Sequence, residues 1–199
     1  MTKFTVPATT LRRFIKIIQS STPDNFKHLK LEVSNGHIYL IGCNSYVACV
    51  QHLGITDQSS DSCYINITPE LVNVVDGNIN AGGTIEFETL PELAMGSVLT
   101  TVDNVGSDII IWPDESPLDK WREWFITSDE SDGFMYCNLL EVLTLWDCSP
   151  TGELVFPELL NANEPVIVRD INDDDWLGVF IPANSGKELL KPATLPEWL

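Results

Sequence analysis

Three times along this chain a strand is followed by a short helix and then by strands separated by turns, and that recurrence restricts the fold more than any single motif does. In the first unit Phe4 to Val6 reads as a strand. Pro7 and the pair Thr9-Thr10 then open a helix from about Leu11 to Gln19. Leu11, Phe14, Ile15 and Ile18 fall at i, i+3, i+4 and i+7 and predict one buried stripe, with Arg12, Arg13, Lys16 and Gln19 on the opposite face. Strands Leu29–Val33, His37–Cys43 and Tyr46–Leu53 follow, divided by turns at Asn35-Gly36 and Asn44-Ser45.

The second unit runs from a strand at Cys63–Ile67 through a helix from Pro69 to about Val75, then strands at Thr84–Thr89, Gly96–Val102 and Asp108–Trp112. The third follows an Asp- and Ser-rich stretch from Pro113 to Gly133. It has Phe134–Tyr136, a helix from about Leu139 to Trp146, and strands at Glu153–Leu159, Pro165–Asp170 and Trp176–Ile181. Asp173, Asp174 and Asp175 read as a solvated hairpin tip, since they lack the alternating ligands and central glycine of a calcium loop. Residues 184–199 form a tail. The class expected is α+β, with repeated β-α-β-β-β units; that the helices share one face of antiparallel sheets is what the resemblance to a known family given below implies.

Charge is segregated along the same frame. Six of the 11 Lys and Arg residues lie in positions 1–30 and none lies between Leu31 and Asp119, in a chain whose net charge is −18. So acidic a protein is repelled by nucleic acid as a whole, yet its first helix concentrates cations that suit phosphates.

Chemistry-bearing motifs are absent: the chain has no GxGxxG, no GxxxxGK[ST], no GxSxG and no HExxH. His28, His37 and His52 are scattered and read as packing residues. Cys43, Cys49, Cys63, Cys137 and Cys148 form no CxxC pair and read as buried free thiols, with no metal or cofactor expected. No apolar run reaches the roughly 18–20 residues that span a bilayer, so a soluble, cytoplasmic, non-enzymatic protein is expected.

The repeated unit resembles the building block of DNA sliding clamps, the ring-shaped processivity factors of replicative polymerases. Phe4-Thr5-Val6 with Leu11 and the Phe14-Ile15 stripe is similar to the start of a bacterial clamp domain, and Leu29–Val33 with His37–Cys43 to its first hairpin. Leu154-Val155-Phe156, Glu164-Pro165-Val166-Ile167-Val168 and Trp176 to Pro182 are similar to the end of the last one. The resemblance covers Lys3 to about Pro182. It implies a clamp-like domain of two units over 1–113, a reduced second domain over 114–183, and the tail 184–199. It also implies helices facing a duplex, with Arg12, Arg13, Lys16, Lys27 and Lys30 on phosphates. Five such contacts set a slope of log affinity against log salt of about −4 to −5. Clamp partners insert an apolar peptide between domains. Trp121, Trp124 and Phe125 either line such a groove or fill the core of the reduced domain, while Trp198 and Leu199 are candidates for an inserted peptide. Bacterial clamps carry six units per chain and this chain three, and its second and third helices lack cations.

Two functions follow. The first is a clamp-like tether for a DNA polymerase or another replication protein on duplex DNA, self-assembled as a homo-oligomer. The alternative is an acidic interaction or inhibitor protein that imitates DNA or competes for a replication or repair factor.

Overall fold

The computed structural model describes residues 2–19, 28–44, 46–89, 98–99, 106–107, 110–111, 116–125, 139–156 and 165–180. In the first unit, β1 (Thr2–Pro7) runs directly into α1 (Ala8–Gln19), followed by β2 (His28–Ser34), β3 (His37–Cys43) and β4 (Val47–Ile55). The helix begins at Ala8, ahead of the threonines expected to cap it. Thr10 lies inside it, where its Oγ1 accepts from Arg13 Nη2 at 3.2 Å.

The second unit contributes β5 (Ser60–Asn66), α2 (Pro69–Ile79), β6 (Thr84–Thr89), β7 (Val98–Leu99), β8 (Gly106–Ser107) and β9 (Ile110–Ile111). Thr68 caps α2 by accepting from Leu71 N at 3.2 Å, with Pro69 in the first turn, where no amide is missed. The third unit supplies α3 (Leu139–Cys148), β10 (Leu154–Val155), β11 (Val166–Asp170) and β12 (Asp173–Phe180). The hairpin tip is Ile171-Asn172, and the three aspartates begin β12 instead of forming the tip.

Units one and two exchange their opening strands. β1 pairs antiparallel with β6, setting Phe4 opposite Phe87, while β5 pairs antiparallel with β2, setting Leu31 opposite Cys63. Unit three joins unit one through an antiparallel seam between β12 and β4, with Gly178 opposite Cys49. The resulting eight-stranded sheet runs β10-β11-β12-β4-β3-β2-β5-β9.

The helices cover one side of it, with α1 packed between α2 and α3. Two glycines permit the close approach. A Cβ on Gly42 of β3 would lie 2.8 Å from Leu29 Cδ2 and 3.0 Å from Phe14 Cδ1, and one on Gly178 of β12 would lie 2.7 Å from Leu145 Cδ2. The stripe Leu11, Phe14, Ile15 and Ile18 is buried as expected, in one core with Leu71, Val75, Leu145 and Trp176. A smaller core on the other side of the sheet gathers Ile41, Val50, Tyr64 and Val179 under Leu118 and Trp121 of a 3₁₀ segment, Pro117–Phe125. Among the described residues, Cys43, Cys49, Cys63 and Cys148 are buried free thiols. No described helix is long and apolar enough to cross a membrane.

Candidate nucleic-acid interface

The cations of the first thirty residues largely meet the acids of the cation-free stretch that follows. Lys3 Nζ lies 2.6 Å from Glu86 Oε1, and Arg12 Nε lies 2.8 Å from Asp76 Oδ1 of α2. Arg12 Nη1 also donates to Gln19 Oε1 at 3.3 Å. Arg13 is half-buried beside α3. Burial lowers its pKa, opposed by the neighbouring Cys148, Asp173 and Asp170. Lys16, between the two arginines on the helix face, is exposed. The three cations share one side of α1, as its periodicity predicts, but Lys16 alone of them stands fully in solvent. Lys27 lies outside the described residues.

Lys30 belongs elsewhere, and the expectation that it meets phosphate is corrected. Strand alternation turns Lys30 and Glu32 to the side of the sheet away from the helices, and both are buried under the 3₁₀ segment. Lys30 Nζ lies 2.9 Å from Glu32 Oε2 and 2.8 Å from Asp119 Oδ1. Glu32 in turn receives Arg122 Nη1 at 2.6 Å and Trp121 Nε1 at 3.3 Å. The Arg122 guanidinium stacks 4.1 Å from the Trp121 ring centroid, the Tyr64 hydroxyl donates to Asp119, and His28 Nε2 and Ser116 Oγ lie 2.8 Å apart. Lys30 is therefore an anchor of the segment that leads out of unit two.

Of the aromatic trio, Trp121 is a core residue. Phe125 is half-buried, edge-on to Trp121 at 6.2 Å. Trp124 borders a groove of ≈ 410 Å³ between Tyr46, Val47, Pro117, Pro165 and Val179, at the seam of units one and three. Trp198 and Leu199 lie outside the described residues. His37 Nδ1 and His52 Nε2 lie 3.1 Å apart, and His52 Nδ1 donates to Asp175 Oδ1 at 2.8 Å. No group of three or more metal-ligating side chains occurs among the described residues.

The anchor titrates. For both acids burial acts to raise the pKa. It is outweighed by hydrogen bonds from Lys30 and Arg122 to Glu32, and from Lys30 and Tyr64 to Asp119, so both lie below the ordinary carboxylate range. Their contribution to stability is full above the unfolded values and lost as pH falls below roughly 4. Burial lowers the His28 pKa, against a weaker opposing pull from Asp119. The folded state therefore favours its neutral ring, and stability declines as pH falls below about 6.5. The melting temperature is expected to drop in two stages on acidification, the earlier one absent in His28→Asn. An identical fall between pH 7 and 5 in both proteins would refute the part assigned to His28.

The fold as a whole has parallels among solved structures. The DNA polymerase sliding clamp of Pseudomonas aeruginosa superposes with a TM-score of 0.63 at 12% identity, over 90% of this chain and 65% of the clamp. The fold is that of a sliding clamp. The DNA polymerase III beta subunit of Thermotoga maritima gives 0.61 at 10% identity over 92% of this chain and 65% of that one. A putative beta subunit of Eubacterium rectale gives 0.58 at 9%, over 93% and 66%. This chain thus spans about two thirds of the length of the clamps it matches. No protein-family model and no curated protein matches the sequence.

Within this clamp fold the sequence located α1 and its cations but missed their partners. Asp76 meets Arg12 from 64 positions away, and Asp119 meets Lys30 from 89. Nothing local marks either acid. The burial of Lys30 did have a signal, because alternation along His28–Ser34 puts Lys30 and Glu32 on one face and Leu29, Leu31 and Val33 on the other.

Proposed function

We propose that the chain is a non-enzymatic clamp-fold processivity factor that assembles with itself and holds a DNA polymerase or another replication protein near duplex DNA. The observation that supports this most is the layer of three helices on one side of an eight-stranded sheet, with Arg12, Arg13 and Lys16 on the open side of the central helix. Contacts from such a face to phosphates carry no sequence information, which suits a protein that slides. The groove beside Trp124, apolar and open, is the place where a short peptide of the replication partner docks.

With Lys30 withdrawn, α1 offers three contacts, so duplex binding is expected to be weak, with a log–log salt slope of about −3. Replacing all three cations is no neutral test, because Arg12 pairs with Asp76 and Arg13 is half-buried. Lys16→Ala is the cleaner one. Fluorescence anisotropy on a labelled duplex over a salt series is expected to show the slope falling by about one unit in this variant, with melting unchanged. No binding at low salt, or a slope indifferent to Lys16, sinks the tether.

A second reading has its own support. The internal pairing of Lys3, Arg12 and Lys30 leaves the chain's acids in large excess outside, as in an acidic protein that competes for a basic site on a replication or repair factor. Under that reading duplex DNA is ignored, and a basic replication protein is bound with an affinity that declines as salt rises.

A further inference from the structure

On the side of the sheet away from the helices, three side chains join across three neighbouring strands. Asp175 of β12, His52 of β4 and His37 of β3 alternate with Val179, Val50 and Ile41 of the smaller core, which fixes the side they share. His52 Nδ1 lies 2.8 Å from Asp175 Oδ1, and His52 Nε2 lies 3.1 Å from His37 Nδ1. The Tyr39 ring, its centroid 5.7 Å from that of His52 and 6.3 Å from that of His37, closes one flank. A β-bulge lies beside the two histidines. Pairing steps from Tyr39–His52 to Ile38–Gly54, which leaves Leu53 without an opposite residue, and Gly54 holds a φ of +138° that a residue with a Cβ rarely adopts. Bulges of this kind re-aim side chains. His52 is half-buried and His37 is exposed.

The bond to Asp175 keeps a proton on His52 Nδ1, so His52 Nε2 faces its neighbour with a lone pair, to which His37 Nδ1 donates. Neutral imidazole equally carries its proton on Nε2, and the exposure of His37 lets that group bond water. In that tautomer both facing nitrogens offer lone pairs, and the exposed His37 ring has room to turn its own toward a shared point. Their separation fits one cation. Ligands 2.0–2.1 Å from a metal at neighbouring tetrahedral or square-planar positions stand roughly 2.8–3.4 Å apart. A carboxylate on the far nitrogen of a histidine is also the arrangement that orients a metal-bound imidazole and raises its basicity. We propose that His37 Nδ1 and His52 Nε2 chelate one divalent transition-metal ion of the imidazole-preferring class, namely zinc, nickel or copper, with Asp175 holding His52 in place. Two protein ligands are fewer than the three of a catalytic zinc or the four of a structural one, so water fills the remaining positions and the ion exchanges readily. A bound ion clips β3 to β4 across the bulge, and the strongly negative chain favours its arrival. The site lies across the sheet from Arg12, Arg13 and Lys16, so it stands or falls separately from any contact with DNA.

Isothermal titration of the full chain with nickel chloride, in buffer free of chelator and phosphate, is expected to show one ion bound per chain. Zinc chloride should compete for the same site, and magnesium chloride should give no saturable heat, because magnesium demands oxygen ligands. His37→Ala and His52→Ala are each expected to weaken nickel binding more than about tenfold, and Asp175→Asn by about 10–100-fold. At a free-ion concentration about a hundredfold above the dissociation constant, nickel is expected to raise the melting temperature by roughly 5–10 °C. It should leave His37→Ala unmoved, a variant whose metal-free melting is expected to match that of the unaltered chain. The ring-proton signals of the chain's 3 histidines give a separate readout. Nickel should broaden those of His37 and His52 and spare His28, which stands about 20 Å away, since Ser34 pairs with His37 and His28 opens the same strand. The proposal is overturned by the absence of saturable nickel binding, by an affinity that survives His37→Ala or His52→Ala, by an equal response to magnesium, or by broadening that includes His28.

Discussion

Replacing Lys30 with alanine is expected to cost about 3–5 kcal/mol of stability, because it leaves Glu32 buried and short of its second cation while Asp119 loses its ammonium partner. In a chain of this size that is a fall in melting temperature of roughly 10 °C. The damage should begin locally. The 3₁₀ segment Pro117–Phe125 is held to the sheet by this cluster and by burial of Leu118 and Trp121, so its release uncovers Ile41, Val50 and Tyr64. Lys30→Met restores the bulk without the charge and is expected to recover little, whereas Lys30→Met with Glu32→Gln removes both charges and recovers a larger share. Thermal melting of the three variants decides the matter. A Lys30→Ala protein melting within a degree of the unaltered chain would show the residue to be an ordinary surface lysine, and its assignment to phosphate would reopen.

Asp170→Ala is expected to cost a similar amount, about 3–5 kcal/mol, through several charge-assisted hydrogen bonds to one carboxylate. Asp170 is buried at the end of β11. It accepts from the Ser149 hydroxyl, from Thr151 N at 2.8 Å and Oγ1 at 2.7 Å, and from Asn172 N at 2.9 Å. Burial works against its charge, but these donors prevail and hold its pKa at about 2. One side chain thereby ties the loop after α3 to the β11–β12 turn, and the same loop carries Gly152 under Trp146. Asp170→Asn keeps part of the acceptor capacity and should fall between the alanine variant and the unaltered chain. Equal melting of all three proteins would mean that water replaces the carboxylate without loss.

Periodicity revealed what periodicity controls. The stripe of α1, strands His37–Cys43 and Thr84–Thr89, and the helix and later strands of the third unit stand where alternation and turn residues put them, while that unit's expected opening strand, Phe134–Tyr136, lies outside the described residues. Helix ends were less legible: α2 continues to Ile79 and α3 to Cys148, because packing against α1 and the sheet extends helices past the point where their own residues favour them. The charge pattern was legible as a pattern but not as a set of partners. Six early cations and a long acidic stretch suggest a basic face, yet three of those cations find acids brought near by strand exchange and by the 3₁₀ segment, contacts between positions 64 to 89 apart that no local rule reports. The aromatic trio divided for the same reason. Trp121 and Trp124 lie three residues apart on one short helical segment, and tertiary packing alone decides that the first is buried and the second borders a groove.

The exchange of opening strands also bears on how the chain is made. Thr2 pairs with Thr89 and Pro7 with Thr84, so β1 leaves the ribosome well ahead of β6 and waits for most of unit two before it can bond to it. At synthesis speeds of roughly 5–20 residues per second, that wait lasts on the order of several seconds, during which Phe4 and Val6 have no sheet to join. Such delayed long-range pairing slows folding and favours capture of nascent chains by one another or by chaperones. A variant with its first strand moved to follow β6 should be the faster folder.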